Sequence, residues 1–233
     1  MAEEIQERLA RVRERIARAA ERAGRKAEDI TLVTVSKTFD HSTVQRAVDA
    51  GALDLGENRV QEAAGKVGLV KAENLRWHLI GHLQSNKARQ AISIFDVIHT
   101  VDSPDLARRL DRLAGEAGRR PAVLVQVDLA HEANKTGADE ADLPAIVDAL
   151  DAAANLEFRG LMTLPPFFDA PEQARSYFRK LRELLDGLNR DRAPGRRLTD
   201  LSMGMSNDFE VAIEEGATVV RVGTAIFGSR KKQ

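Results

Sequence analysis

Covalent chemistry in this chain centres on one amine, Lys37. It closes the run Leu32-Val33-Thr34-Val35-Ser36-Lys37, in which four of the first five positions are apolar or β-branched. That length and composition suit a fully buried strand. Apolar sequence resumes at Val48, Ala50 and Leu53, so Lys37 is tied into a packed region. A lysine at the rim of a core loses hydration, which disfavours its ammonium form. An uncharged amine is the nucleophile that forms a Schiff base with an aldehyde. The competing reading is a surface lysine whose stem snorkels off a strand end.

A second chemistry, anion binding, is written near the C-terminus. Ser206-Asn207 reads as a helix opening, with Glu210 in capping-box register, and Gly223-Thr224-Ala225 reads as another. Helix openings present unpaired N–H groups and a positive dipole end, which suit a phosphate. Ser206 and Thr224 add hydroxyl donors; ordinary capping is the alternative. Arg221 interrupts the apolar strand-like run Thr218–Val222, and a buried arginine needs an anion or an acceptor. A structural salt bridge and a cofactor contact both satisfy that need.

Other polar groups are less specific. His78 and His82 are four residues apart, but they flank a strand end and no carboxylate completes a metal set, so no metal is expected. His41 and His131 read as loop residues. Lys87 and Arg89 fit either a solvent-facing helix start or an anion-binding rim, and Lys135 has the same ambiguity. Glu210, Glu214 and Glu215 read as an exposed helix face.

The elements that must position these groups alternate. Strand-like runs fall at 31–36, 53–56, 76–80, 96–101, 122–128, 157–162, 199–202 and 218–222. Helical periodicity falls near 41–50, 58–71, 85–92, 104–117, 140–153, 172–188, 207–215 and 224–229. Pro104, Pro144 and Pro171 lie near helix starts, with Ser103 and Asp142 as candidate caps. Eight β–α steps without a long linker predict an α/β fold of one domain over 1–233, a (β/α)8 TIM barrel over 31–229. An amphipathic helix over 1–24 precedes it, with Ile5, Leu9, Val12 and Ile16 on one face and a mixed-charge, solvated remainder. An open doubly wound sheet competes, but no Gly-x-Gly-x-x-Gly follows the first strand. In a barrel, Lys37, Asn58, Gly81-His82, Asp102, Met162-Thr163, Ser206 and Gly223-Thr224 all fall at or just beyond the C-terminal strand ends, where active sites form.

Composition narrows the function classes. The chain has 233 residues, 43% of them hydrophobic, a formal net charge of −1 and no cysteine. A core is available, while disulfides, thiolate metal sites and a global attraction to nucleic acid are excluded. No export signal or apolar span is visible, so a cytoplasmic protein is expected, and Asn134-Lys135-Thr136 carries no weight as a glycosylation acceptor.

Several blocks then occur in a telling order. They are Ser36-Lys37, Gly56-Glu57-Asn58, His78-Leu79-Ile80-Gly81-His82-Leu83-Gln84-Ser85-Asn86-Lys87, Gly160-Leu161-Met162, Leu201-Ser202-Met203-Gly204-Met205-Ser206 and Val220-Arg221-Val222-Gly223-Thr224-Ala225-Ile226-Phe227-Gly228. Together they resemble the pyridoxal phosphate homeostasis proteins, barrels similar to the N-terminal domain of bacterial alanine racemase. The resemblance covers essentially the whole chain. Leu79 stands where phenylalanine is frequent and Val222 where isoleucine is frequent, both apolar exchanges.

The resemblance implies that Lys37 carries pyridoxal phosphate as an internal aldimine. It assigns Ser206, Gly223 and Thr224 to the phosphate and Arg221 to the pyridine nitrogen, with Asn58, His78 and Met162 lining the ring pocket. An arginine there disfavours a protonated ring and makes it a weaker electron sink. Racemases of this type take a second base, a tyrosine, from a further C-terminal domain. This chain reaches Gln233 soon after the eighth strand, and its one tyrosine, Tyr177, falls in an outer helix, so that base is expected to be missing. The expectation is a non-enzymatic, monomeric carrier that passes the cofactor to apo-enzymes. A weak racemase or lyase, and a barrel binding a phosphorylated metabolite without covalent chemistry, are the alternatives.

Overall fold

Parallel strands with crossover helices need both strand faces covered, and this chain solves that by closing the sheet. The computed structural model describes residues 2–130 and 136–228. Its strands are β1 (Thr31–Val35), β2 (Asp54–Glu57), β3 (Arg76–Leu79), β4 (Val97–Val101), β5 (Ala122–Gln126), β6 (Glu157–Met162), β7 (Asp200–Ser202) and β8 (Val219–Val222). They form a closed barrel in sequential order, with β1 pairing parallel to both β2 and β8. The expected TIM barrel is therefore present, and the open sheet is not.

The helices follow the strands: α1 (Ala2–Arg22), α2 (His41–Asp49), α3 (Val60–Ala64), α4 (Ala88–Ile94), α5 (Pro104–Ala117), α6 (Leu143–Asp151), α7 (Arg175–Asn189), α8 (Phe209–Glu214) and α9 (Thr224–Phe227). Ser103 caps α5 by accepting from Leu106 N–H. Asp142 precedes α6 without a side-chain cap bond. His41 opens α2 instead of lying in a loop, and Asp40 caps it through Thr43 N–H. His131 and Lys135 lie outside the described residues.

Three expectations fail for stated physical reasons. The helix expected over 58–71 is only α3, because Gly65 ends it and Gly68 sits at φ +92°, a conformation that favours glycine. The helix after β7 starts at Phe209 with Asp208 at its cap, so Asn207 and Glu210 form no capping box. Asn207 donates instead to the Phe168 carbonyl (2.9 Å), and Glu210 pairs with Arg15 (2.7 Å). Glu215, expected on an exposed face, is 5% exposed and is bridged by Arg175, Arg179 and Arg182 of α7.

The N-terminal helix is likewise less solvated than its charges imply. Ile5, Leu9, Val12 and Ile16 are buried. Arg15 also lies over the Phe209 ring, Arg22 pairs with Glu214, and Arg25 donates to the Ala217 carbonyl. These contacts fasten α1 to the β7–α8–β8 segment.

Inside the barrel, alternation along the strands separates two apolar clusters. Val33, Val35, Ile80 and Val219 form one, and Val97, Ala122, Leu124 and Met162 form the other. Among them lie buried polar residues, His78, His99, Ser202 and Arg221.

Candidate functional site

Lys37 lies two residues past the end of β1, half-buried, on the wall of a cavity of about 310 Å³. Its neighbour Thr38 is held at φ +70°, which costs on the order of 1–3 kcal/mol for a β-branched residue. The turn that aims Lys37 is therefore set by its surroundings. Beneath it lies a closed ion pair. Lys66 Nζ is 2.6 Å from Glu57 Oε1 and donates to the Ser36 carbonyl at 2.8 Å, and Ser36 Oγ donates to the same Glu57 oxygen at 2.6 Å. Burial pushes the Glu57 carboxyl upward, against the pull of Lys66 and Ser36. Nothing in the sequence flagged Lys66; the early end of α3 is what turns it inward.

The cavity gathers residues from opposite ends of the sequence. Asn58, Ser206, Arg221, Gly223 and Thr224 share its wall with Lys37, and Val35, Ile80, Leu164 and Phe167 supply apolar surface. Size and lining match a small-molecule pocket with a few convergent polar groups. Two of the expected residues are elsewhere. His78 and Met162 are buried in the barrel interior and are not on the cavity wall. A larger polar cavity, about 690 Å³, lies beside this one and shares Asn58; Arg59, His82 and Lys87 line it and Lys37 does not.

At one end, Ser206 Oγ accepts long bonds from Gly223 N–H (3.3 Å) and Ala225 N–H (3.4 Å). Gly223 lets the backbone approach β1 closely: a Cβ there would sit 3.2 Å from Val35 Cβ, a tight contact. These backbone donors and the hydroxyl form a cradle of the kind that accepts phosphate oxygens.

At the other end stands Arg221, 3% exposed. It donates to Ser202 Oγ at 2.6 Å and to the Thr163 carbonyl at 2.9 Å. Among the described residues it has no ion pair, so the salt-bridge reading gives way to neutral acceptors. Burial pulls its pKa down to about 10, with the more distant Asp208 acting against that. Asp208, on the cavity wall, is itself pushed upward by burial.

Among the described residues no cluster of metal-ligating side chains exists. His82 instead lies 3.3 Å from Asp102. No helix among them is long and apolar enough to cross a membrane.

Comparison with known proteins places this geometry. The family model for the alanine racemase N-terminal domain matches residues 8–231. A pyridoxal phosphate homeostasis protein of Aquifex aeolicus (strain VF5) is 43% identical over 225 residues, covering 97% of this chain and 98% of that protein. One of Escherichia coli (strain K12) is 40% identical over 240 residues, covering 97% of each. The structure of PipY from Synechococcus elongatus PCC7942 with PLP bound matches with a TM-score of 0.84 at 43% identity, covering 96% of this chain and 100% of that one. An alanine racemase of Clostridium difficile 630 shares the fold, with a TM-score of 0.72 at 17% identity over 99% of this chain and 61% of that one. By these measures the chain belongs to the pyridoxal phosphate homeostasis protein family.

Proposed function

We propose that this protein binds pyridoxal phosphate in the cavity of about 310 Å³ and holds it covalently through Lys37, as a cytoplasmic store of the cofactor. The observation that carries this reading is the convergence of three chemistries on one wall. An amine (Lys37), an anion cradle (Ser206, Gly223, Thr224) and a buried cation (Arg221) meet there from distant parts of the chain. When bound, the cofactor supplies an aldehyde carbon with which an uncharged lysine amine condenses, releasing water.

The residues present fit that group. The cradle suits its phosphate, the apolar side chains suit its ring, and Asn58 adds a polar contact at the rim. Arg221 can only donate hydrogen bonds, so it matches an unprotonated ring nitrogen. A ring held in that state withdraws electrons weakly. Holding and releasing the cofactor is therefore favoured over transforming a substrate on it. Apo-forms of pyridoxal enzymes are the recipients in this reading, and the protein acts as a monomer.

Borohydride reduction of the cofactor-loaded protein is the test. The cofactor's mass should appear on the peptide containing Lys37 and be absent from Lys37→Ala. Equal colour in the dialysed Lys37→Ala variant would overturn the assignment.

One observation favours a second reading, a weak racemase or lyase: Asp208 places a carboxyl of raised proton affinity on the same wall. Incubation with chiral amino acids in heavy water separates the two. Deuterium entering the α-carbon at a catalytic rate would favour the enzyme.

A further inference from the structure

Arg221 is the top of a hydrogen-bonded chain that crosses the barrel interior. Below it, Ser202 Oγ is 2.8 Å from His99 Nδ1, His99 Nε2 is 2.9 Å from His78 Nδ1, and His78 Nε2 is 2.8 Å from Asp54 Oδ1. The step from His99 to Ser202 spans the barrel from β4 to β7. Ser202 and His99 are fully buried, His78 is 2% exposed, and only Asp54 reaches solvent, where Arg76 pairs with it at 2.8 Å.

With both imidazoles uncharged, the two ends set the direction of every bond between them. A guanidinium only donates and a carboxylate only accepts. Ser202 Oγ takes a hydrogen from Arg221, so its own hydrogen goes to its other neighbour, His99 Nδ1. His99 then carries its proton on Nε2 and donates to His78 Nδ1, and His78 donates from Nε2 to Asp54. Reversing the chain would leave the Ser202 hydroxyl unpartnered and turn a bare imidazole nitrogen toward the Asp54 carboxylate. It would need an extra proton on His78.

Charge agrees with this arrangement. Burial, then His78, then Arg221 drive His99 well below the ordinary histidine range, so it stays neutral. Burial raises the Asp54 carboxyl, but hydrogen bonds from His78 and Arg76 outweigh it and the net direction is down, so it stays an acceptor.

We propose that His99, through Ser202, is a positioning residue for Arg221, holding the guanidinium as a fixed donor toward the occupant of the cavity. This rests on the pyridoxal phosphate reading, so the test has one arm independent of it.

In cofactor-free protein near neutral pH, nitrogen NMR should find His99 neutral and protonated on Nε2. A proton on His99 Nδ1, or a charged His99, overturns the chain. In cofactor-loaded protein, Ser202→Ala and His99→Leu should release cofactor about tenfold faster, the scale of one lost hydrogen bond to a charged group. Their visible absorption band should also shift. His99→Asn, which keeps an acceptor for Ser202, should restore much of both. Where His99→Leu does not fold, Ser202→Ala decides. Unchanged release, or faster release with an unchanged band, gives Ser202 a merely structural role and overturns the proposal. Wild-type protein that takes up no cofactor overturns the reading beneath, while the tautomer measurement still decides the chain.

Discussion

Two buried cations lie at and beneath the cavity, and the fold partners them in opposite ways. Lys66, 7% exposed, faces a carboxylate: its ammonium, Glu57 and Ser36 form a closed triangle under the strand end that carries Lys37. Arg221, 3% exposed, hydrogen-bonds only to neutral acceptors, Ser202 Oγ and the Thr163 carbonyl, with the Asp208 carboxyl acting on it from farther off. The first arrangement cancels its charge within the scaffold. The second leaves positive charge directed at whatever enters the cavity. One is built for shape and the other for a ligand.

Breaking one partner of each network tests this contrast. The largest effect is expected for Lys66→Met, which leaves Glu57 buried with its charge uncompensated. Removing one partner of a buried pair costs about 3–5 kcal/mol, measurable by urea unfolding at neutral pH. A Glu57→Gln, Lys66→Met double variant should regain much of that loss. Ser36→Ala removes one charged hydrogen bond and should cost about 2 kcal/mol by the same measurement. Arg221→Leu should change stability by only about 1 kcal/mol, because an apolar side chain removes the desolvation cost as well as the bonds. Its retention of cofactor after dialysis should nonetheless collapse. If Arg221→Leu unfolds as readily as Lys66→Met, the two networks are not different in kind.

A pH series sharpens the comparison further, with the smallest effect. The folded Glu57 carboxyl lies above its ordinary value of 4.5, so the native state binds more protons than the unfolded chain just above that pH. Its contribution to stability is fully present below 4.5 and falls as pH rises through the folded pKa. In Lys66→Met the fall should be steeper and extend to higher pH, since the lysine that favours the carboxylate is gone. The profile of Arg221→Leu should run parallel to the wild type over the same range.

How far the site was legible in advance depends on what each residue's signal was. Lys37 was legible because it closely follows a strand of apolar and β-branched residues. Ser206, Gly223 and Thr224 were legible because small and hydroxyl residues follow the last two strands, and the cavity wall includes all three. Asp54, His99, Ser202 and Lys66 carried no such mark as a network. Their partners lie far away in sequence, 103 residues in the case of His99 and Ser202. His78 is assigned to the ring pocket by the resemblance alone, whereas it lies buried in the barrel interior, off the cavity wall.

The division has a physical cause. Local sequence determined the order of strands and helices, most of their boundaries, the buried face of α1 and the strand-end placement of Lys37, because hydrophobic period and Gly, Pro and cap chemistry act within a few residues. Closure of the barrel decided the rest. It brought β4 opposite β7, turned Glu215 and Glu210 into partners of arginines on α7 and α1, and gave Arg221 neutral acceptors. Which buried polar group finds which partner depends on inward facing and cross-barrel distance, and no stretch of chain carries either quantity by itself.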